Sequence, residues 1–567
     1  MAYLTNDSVV PRVYANFRGV DFRGDEVNLV RSPDSLNVWK DYRKTESIRT
    51  RPGMRLKEGF TQPVYGIFFY KDFMIVHSGA DLYTVTAEGV RTRIYSGLNT
   101  AASNSFVYED ALYLMDGKGY FQYNWDDENK KGTFQPVQGY VPTTSISRSA
   151  MSGGSTKQDA NMLTGLRINT FLADGKNKVF YLDAKEIDDD YLPRVTFTDQ
   201  NAIDFTVDYD EGTITFASVP SAPLTDGRDN ISVQFRKTID GYRDSILKCT
   251  LLQVFDNRVF FSGNPEYPNV VWHCSLNDPS YVSDLDYYRE GMDTAQIKGL
   301  VAGNNALWVF REPSDANTNV FYHTPTIDDE YGKIYPSTHS SVTTGCVGKA
   351  INFNDDIVFF SDRGMEGISG DVTTEQVVAH RSSLVDSKMI SEKDYKNMVL
   401  EEWEGYLLVI IGDKVYLADS RTAFTNEDHI EYDWFYWKLE KKVICTRVHD
   451  GVLHLGTEDG IYTLDDNSCA VESWWTTPKD KFKHPHKLKT TNKRGCVAEA
   501  EGDIAVYAKV EDTEYELIGE YKDVKDYFVS RIKRKKFKDI QLKFYSSTRF
   551  SLETVTLECF IGGYIKR

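Results

Sequence analysis

One short phrase recurs seven times along this chain, and it constrains the fold more than any other feature. Each copy is an alternating strand, a turn of acidic, Asn or Gly residues, then a second strand that is apolar at nearly every position. The copies are Tyr70-Lys-Asp-Phe-Met-Ile-Val, Tyr108-Glu-Asp-Ala-Leu-Tyr-Leu, Phe255-Asp-Asn-Arg-Val-Phe-Phe and Gly303-Asn-Asn-Ala-Leu-Trp-Val. Asn354-Asp-Asp-Ile-Val-Phe-Phe, Trp403-Glu-Gly-Tyr-Leu-Leu-Val and His449-Asp-Gly-Val-Leu-His-Leu complete the series. The turn residues tolerate positive φ or bond their own backbone, as a tight hairpin requires. The apolar strand after each turn is what burial between packed sheets demands. A second hairpin follows in several units, as in Gly79-Ala-Asp-Leu, Gly412-Asp-Lys-Val and Glu458-Asp-Gly-Ile. Two hairpins make a four-stranded blade. The sixth residues of successive copies lie 38, 147, 48, 51, 49 and 46 residues apart. Propeller repeats run to about 40–50 residues, so the expected fold is an all-β β-propeller of about seven blades rather than a β-sandwich of irregular hairpins.

The interval of 147 is one blade plus roughly 95 further residues. Ser145 to Thr156 is Ser/Gly-rich and reads as a linker. Beyond it, short strands around Val179-Phe-Tyr, Arg194-Val-Thr-Phe and Asn230-Ile-Ser-Val-Gln-Phe predict a small β-module. The acidic run Glu186-Ile-Asp-Asp-Asp lacks the Gly and the later bidentate Glu of a Ca²⁺ loop, and reads as a solvated turn. Ile504-Ala-Val-Tyr-Ala-Lys-Val and Ser551-Leu-Glu-Thr-Val-Thr-Leu predict a C-terminal β-sandwich. The expected organisation is an extended arm over 1–60, blades over 61–148, the inserted module over 149–243, blades over 244–470, and the sandwich over 471–567.

Net charge is −18, which argues against an outer surface that wraps nucleic acid. The residues from Pro478 onward hold 20 Lys/Arg against 14 Asp/Glu, so they carry +6 and the remainder −24. Two basic clusters cause this, Lys479 to Lys489 and Arg531-Ile-Lys-Arg-Lys-Lys-Phe-Lys. The seven cysteines are scattered without C-x-x-C, which suits reduced thiols rather than a disulfide scaffold or a zinc site. Neither a signal segment nor a membrane span is evident. The nucleophile-elbow, phosphate-loop, dinucleotide and zincin motifs are missing, so no catalytic residue, cofactor or metal is assigned and no enzyme activity is expected. Acidic residues at the blade hairpins read as turn formers.

Three N-terminal segments carry a family resemblance. Phe17-Arg-Gly-Val-Asp-Phe-Arg-Gly, Ser32-Pro-Asp-Ser-Leu-Asn-Val and Ile48-Arg-Thr-Arg-Pro-Gly resemble the opening of structural proteins of tailed bacteriophages. Asp204-Phe-Thr-Val-Asp-Tyr-Asp-Glu-Gly-Thr-Ile-Thr-Phe and Arg534-Lys-Lys-Phe-Lys-Asp-Ile-Gln-Leu-Lys-Phe add to it. The layout is similar to the propeller-containing tail hub (stabilisation) and nozzle proteins. That resemblance implies an architectural virion protein made in the bacterial cytoplasm. Its partners would be other tail or neck proteins and further copies of itself, commonly six in a ring around the DNA exit channel. DNA would pass without sequence-specific binding, and the acidic propeller would not hold on to it, because like charge repels phosphate. Arg49, Arg51, Arg531, Lys533, Arg534 and Lys535 are the expected subunit contacts. Two other readings stand beside it. One is a glycan- or receptor-binding virion protein using Trp474-Trp475 and Trp434-Phe-Tyr-Trp437. The other is a propeller glycoside hydrolase, which would need two carboxylates across a cleft.

Overall fold

The computed structural model describes residues 9–43, 47–315, 318–329, 332–369, 376–426, 429–465, 470–533 and 536–564. The chain folds as a β-propeller of seven four-stranded antiparallel sheets, with an inserted β-module and a further C-terminal sheet. Every repeated phrase forms the hairpin between the first two strands of a blade. Asp256 and Asn257 (φ 49° and 57°), Asn304 and Asn305 (52° and 58°), and Asn354 and Asp355 (51° and 65°) hold paired positive φ. Such turns match the strands' right-handed twist. The second strands are buried almost throughout, as in Ala306–Arg311 and Tyr406–Ile411.

The chain divides into two compact units. One contains residues 80–82 and 93–343, hence blades two to four and the insertion. The inserted module has a five-stranded sheet and a three-stranded sheet packed around Phe171, Phe180, Ile214, Phe216 and Val233. It begins earlier than the expected residue 149. Thr143–Arg148 is a strand, paired in parallel with Leu166–Phe171 and antiparallel with Ser155–Thr156. The linker reading of 145–156 is therefore corrected. Ser and Gly composition yields here to a long-range pairing, and the Arg148 guanidinium donates to the Tyr181 and Leu182 carbonyls. The acidic run is a clamp: Asp188 accepts from Arg236 Nε at 2.6 Å and from the Thr238 amide at 2.9 Å.

The other unit contains residues 1–79, 83–92 and 344–567. It holds blades five to seven, much of blade one, and the C-terminal sheet. Blade seven has three strands of its own, Cys445–His449, Val452–Gly456 and Gly460–Asp465. Its fourth is Gly53–Gly59, which pairs antiparallel with Gly460–Asp465. Backbone groups that would form an open edge are thereby satisfied from the opposite end of the sequence.

The expected separate arm is corrected as well. Val9–Tyr14 and Ile48–Thr50 both pair with Phe550–Tyr564, Val38–Lys40 pairs with Ile48–Thr50, and Ser35–Leu36 pairs with Ser473–Thr476. N-terminal strands thus belong to the 11-stranded C-terminal sheet. Its hub is the 24-residue strand Lys487–Val510. Both edges of that strand are paired at 496–499, against 527–530 and 554–557. One core runs from Tyr14, Trp39 and Ile48 through Trp437 and Leu455 to Trp475, Phe544 and Val555.

Candidate functional site: the N-terminal clasp and the basic edge

The three N-terminal segments form one continuous clasp within their unit. Gly19 adopts φ +81°, and a Cβ there would lie 1.8 Å from the Trp434 carbonyl oxygen. Only glycine permits the approach that lets the Val20 amide donate to that carbonyl at 2.6 Å. Arg18 and Arg31 close on either oxygen of buried Asp433, each at 2.6 Å. The Phe22 amide then donates to Leu384.

Asn37 is the next fixed point. It sits in the left-handed region at φ 56°, which Asn tolerates better than most residues. Its amide donates to the Tyr436 carbonyl, and its side-chain nitrogen donates to the Glu472 carbonyl at 2.8 Å. Its side-chain oxygen accepts from the Lys438 amide at 2.8 Å and from Arg51 Nε at 2.9 Å. One residue thereby joins the clasp, the outer strand of blade six and the C-terminal sheet. Trp39 stacks on Trp403 with ring centroids 5.3 Å apart and meets Trp437 edge-on. Further along, Thr50 Oγ1 meets Ser473 Oγ at 2.8 Å and accepts from the Phe550 amide. Arg12 and Tyr14 both reach Asp480.

Arg51 is placed differently from expectation. It is 1% exposed, and its remaining donors reach the Pro52 carbonyl at 2.8 Å, the Lys438 carbonyl at 2.7 Å and Glu440 at 2.9 Å. A guanidinium presents donors in a planar fork, and here every branch is taken up inside the fold. Arg51 is an internal clamp and presents nothing to a neighbouring subunit. Arg49 is half-buried in the strand Ile48–Thr50, opposite Ser551. Arg531 and Lys533 are exposed on the irregular stretch after Tyr527–Ser530. Arg534 and Lys535 lie outside the described residues.

The other basic cluster is largely engaged. Lys479 bonds Asp512 at 3.1 Å, which raises its pKa, and Lys481 pairs with Glu26. Lys489 is buried, with Nζ donating to the Lys538 carbonyl at 2.7 Å and to that of His484 at 2.5 Å. Burial lowers its pKa. Surface cations at this edge include Lys483, Lys533, Lys536 and Arg531, with Lys487 lying over the Tyr564 ring at 5.3 Å.

The aromatic residues set aside for glycan contact are mostly interior. Trp434, Trp437 and Trp475 are at most 1% exposed, and half-buried Trp474 donates to Asp34 beneath Lys543. Among titratable groups, His380 stands between Glu366 at 3.2 Å and Asp386 at 2.5 Å. Burial pulls its pKa down, but hydrogen bonds to Asp386 and Glu366 outweigh it and lift the pKa to about 9. With both ring N–H groups held by carboxylates, this imidazolium has no free nitrogen to act as a base. Among the described residues, no group of three His, Cys, Asp or Glu is placed to hold a metal, and no helix is long and apolar enough to cross a membrane. Five of the cysteines are buried and Cys445 is partly so, all as free thiols; Cys469 lies outside the described residues.

No protein-family model and no curated protein matches the chain. Solved structures resemble it distantly. The computationally designed Ika8 protein is 11% identical with a TM-score of 0.32, covering 72% of this chain and 98% of that one. BamB from Moraxella catarrhalis is 10% identical with a TM-score of 0.32, covering 76% and 93%. Hsv2 from Kluyveromyces lactis is 10% identical with a TM-score of 0.26, covering 68% and 99%. Likenesses this distant bring no activity or partner with them.

No local signal in the sequence marks the clasp's partners. Asp433, Lys438, Glu440 and Glu472 lie some four hundred residues from the segments they hold, and each reads locally as a solvated strand end or turn. Arg51-Pro-Gly, whose proline and glycine mark a turn, is the one local pattern that points to a fixed corner there.

Proposed function

We propose that the protein is a structural component of a tailed-phage particle, a tail hub, nozzle or neck protein whose copies ring the DNA exit channel. The observation that carries this reading is the clasp. The segments that resemble the openings of phage structural proteins are those that tie blade six, blade seven and the C-terminal sheet together, through backbone bonds and buried ion pairs. A chain used this way serves as a building block. Closed blades leave few strand edges for stray pairing, which suits repeated copies at high local concentration. Arg531 and Lys533, exposed on a basic edge, are the residues we assign to contact with neighbouring tail or neck proteins or with the next copy. The acidic remainder of the chain favours passage of DNA over retention.

The test is location. Particles carrying a tagged copy of the chain are labelled with an antibody and imaged. Label confined to the neck or tail supports the proposal, whereas particles that assemble, infect and carry no label refute it.

A further inference from the structure

A cavity unrelated to the clasp and independent of the structural role proposed above lies where blades seven and one meet within a single unit. Its volume is about 660 Å³, in the range of small-molecule sites. Met74 and Val85 make a buried apolar floor. Above them Phe69 and His449 stack face to face, with ring centroids 3.8 Å apart and 8° between planes. The His449 side chain remains 41% exposed. The hairpins at Lys71-Asp72, Thr86–Gly89 and His449-Asp450 supply the rim, so two turns of the repeat and the turn before the last strand of blade one converge on one opening.

The rim carries both signs. Asp72, Glu88 and Asp450 are exposed carboxylates, and Lys57 and Lys71 are exposed amines. Lys57 is positioned by a specific tautomer. His454 Nδ1 is 3.1 Å from the Val452 carbonyl, so Nδ1 carries the proton and Nε2 accepts from Lys57 Nζ at 2.9 Å. Burial, followed by the Lys57 charge, pushes the His454 pKa down to about 4, which keeps that acceptor neutral at pH 7. The other two ammonium hydrogens of Lys57 remain able to face the cavity.

We infer that this cavity binds a neutral saccharide of two or three pyranose rings. An ionic ligand would meet a like charge somewhere on such a rim. A neutral sugar uses both signs, because each hydroxyl donates to a carboxylate and accepts from an ammonium. Its C–H face packs on the His449 imidazole and the apolar floor, as sugar faces do on aromatic rings.

The full chain is titrated calorimetrically against maltotriose, lactose and chitobiose, with glucosamine and glucuronic acid as charged counterparts. A glycan array of neutral di- to tetrasaccharides widens the search. The inference expects at least one neutral saccharide to bind ten-fold or more tightly than either charged sugar. His449→Ala and Asp450→Asn should each weaken that saccharide ten-fold or more. Asp450 is 88% exposed, so Asp450→Asn tests binding without disturbing the fold. The inference is overturned if no neutral saccharide binds, if a charged sugar is preferred, or if Asp450→Asn and an intact His449→Ala bind as the parent does.

Discussion

Replacing Arg51 with methionine removes the guanidinium but keeps most of the side-chain volume. Four hydrogen bonds disappear, to Asn37, Pro52, Lys438 and Glu440. The Asn37 oxygen stays satisfied, because the Lys438 amide still donates to it at 2.8 Å. The buried Pro52 carbonyl and the part-buried Lys438 carbonyl lose a charged donor; a stranded buried acceptor costs about 1–3 kcal/mol, and a part-buried one less. Glu440 is 40% exposed, so loss of its ion pair contributes at most about 1 kcal/mol. Relief of burying one charge offsets part of this. The net expectation is a loss of about 3 kcal/mol. Urea unfolding followed by tryptophan fluorescence reads it, since Trp39, Trp403 and Trp437 pack beside the clamp. With an m-value of about 3 kcal/mol/M, the midpoint falls by about 1 M. Arg51→Lys keeps the charge without the fork, and should lose about half as much. A midpoint shift under about 0.2 M for Arg51→Met would refute the internal-clamp reading and return Arg51 to the surface.

The remaining predictions concern the fold's seams and its exposed edge. Gly19→Ala forces a Cβ against the Trp434 carbonyl at positive φ and should destabilise by about 2–4 kcal/mol in the same urea assay. His380 has a folded pKa of about 9 against about 6.5 unfolded. A raised folded pKa gives stability that is fully present below pH 6.5 and lost as pH rises through 9. Discounted for partial exposure it amounts to about 2 kcal/mol, and His380→Gln should remove that difference between pH 6 and pH 9.5. Leu56→Pro places a proline in the strand that completes blade seven, and light scattering should detect association through the opened edge. Arg531→Glu with Lys533→Glu should leave stability within about 0.5 kcal/mol while reducing incorporation into particles, measured by immunoblot.

The blades were legible because their information is local. A period-two apolar pattern and turn residues that accept positive φ lie within a dozen residues of each other, so all seven hairpins fall where the repeat puts them. The insertion was legible as an interval too long for one blade. Its first strand was not, because Thr143–Arg148 exists by pairing with Leu166–Phe171 and its composition resembles a linker. The fourth strand of blade seven was hidden for the same reason, since Gly53–Gly59 has too few apolar residues to signal a strand alone. Charge misled most. Arg51 and Lys489 look like surface cations in sequence, yet backbone carbonyls brought from distant segments satisfy them inside. Lys479 and Lys481 owe their neutralisation to Asp512 and Glu26, which no spacing rule connects to them.

The most direct test of the structural role is the copy number of the chain in purified particles. Density-gradient-purified particles are digested and quantified by mass spectrometry with isotope-labelled standard peptides, using the major capsid protein as the internal reference. The account predicts a fixed, small whole number of copies per particle, consistent with one cyclic ring, that survives repeated high-salt washing. A chain absent from washed particles, or present at a number that varies between preparations, would contradict it.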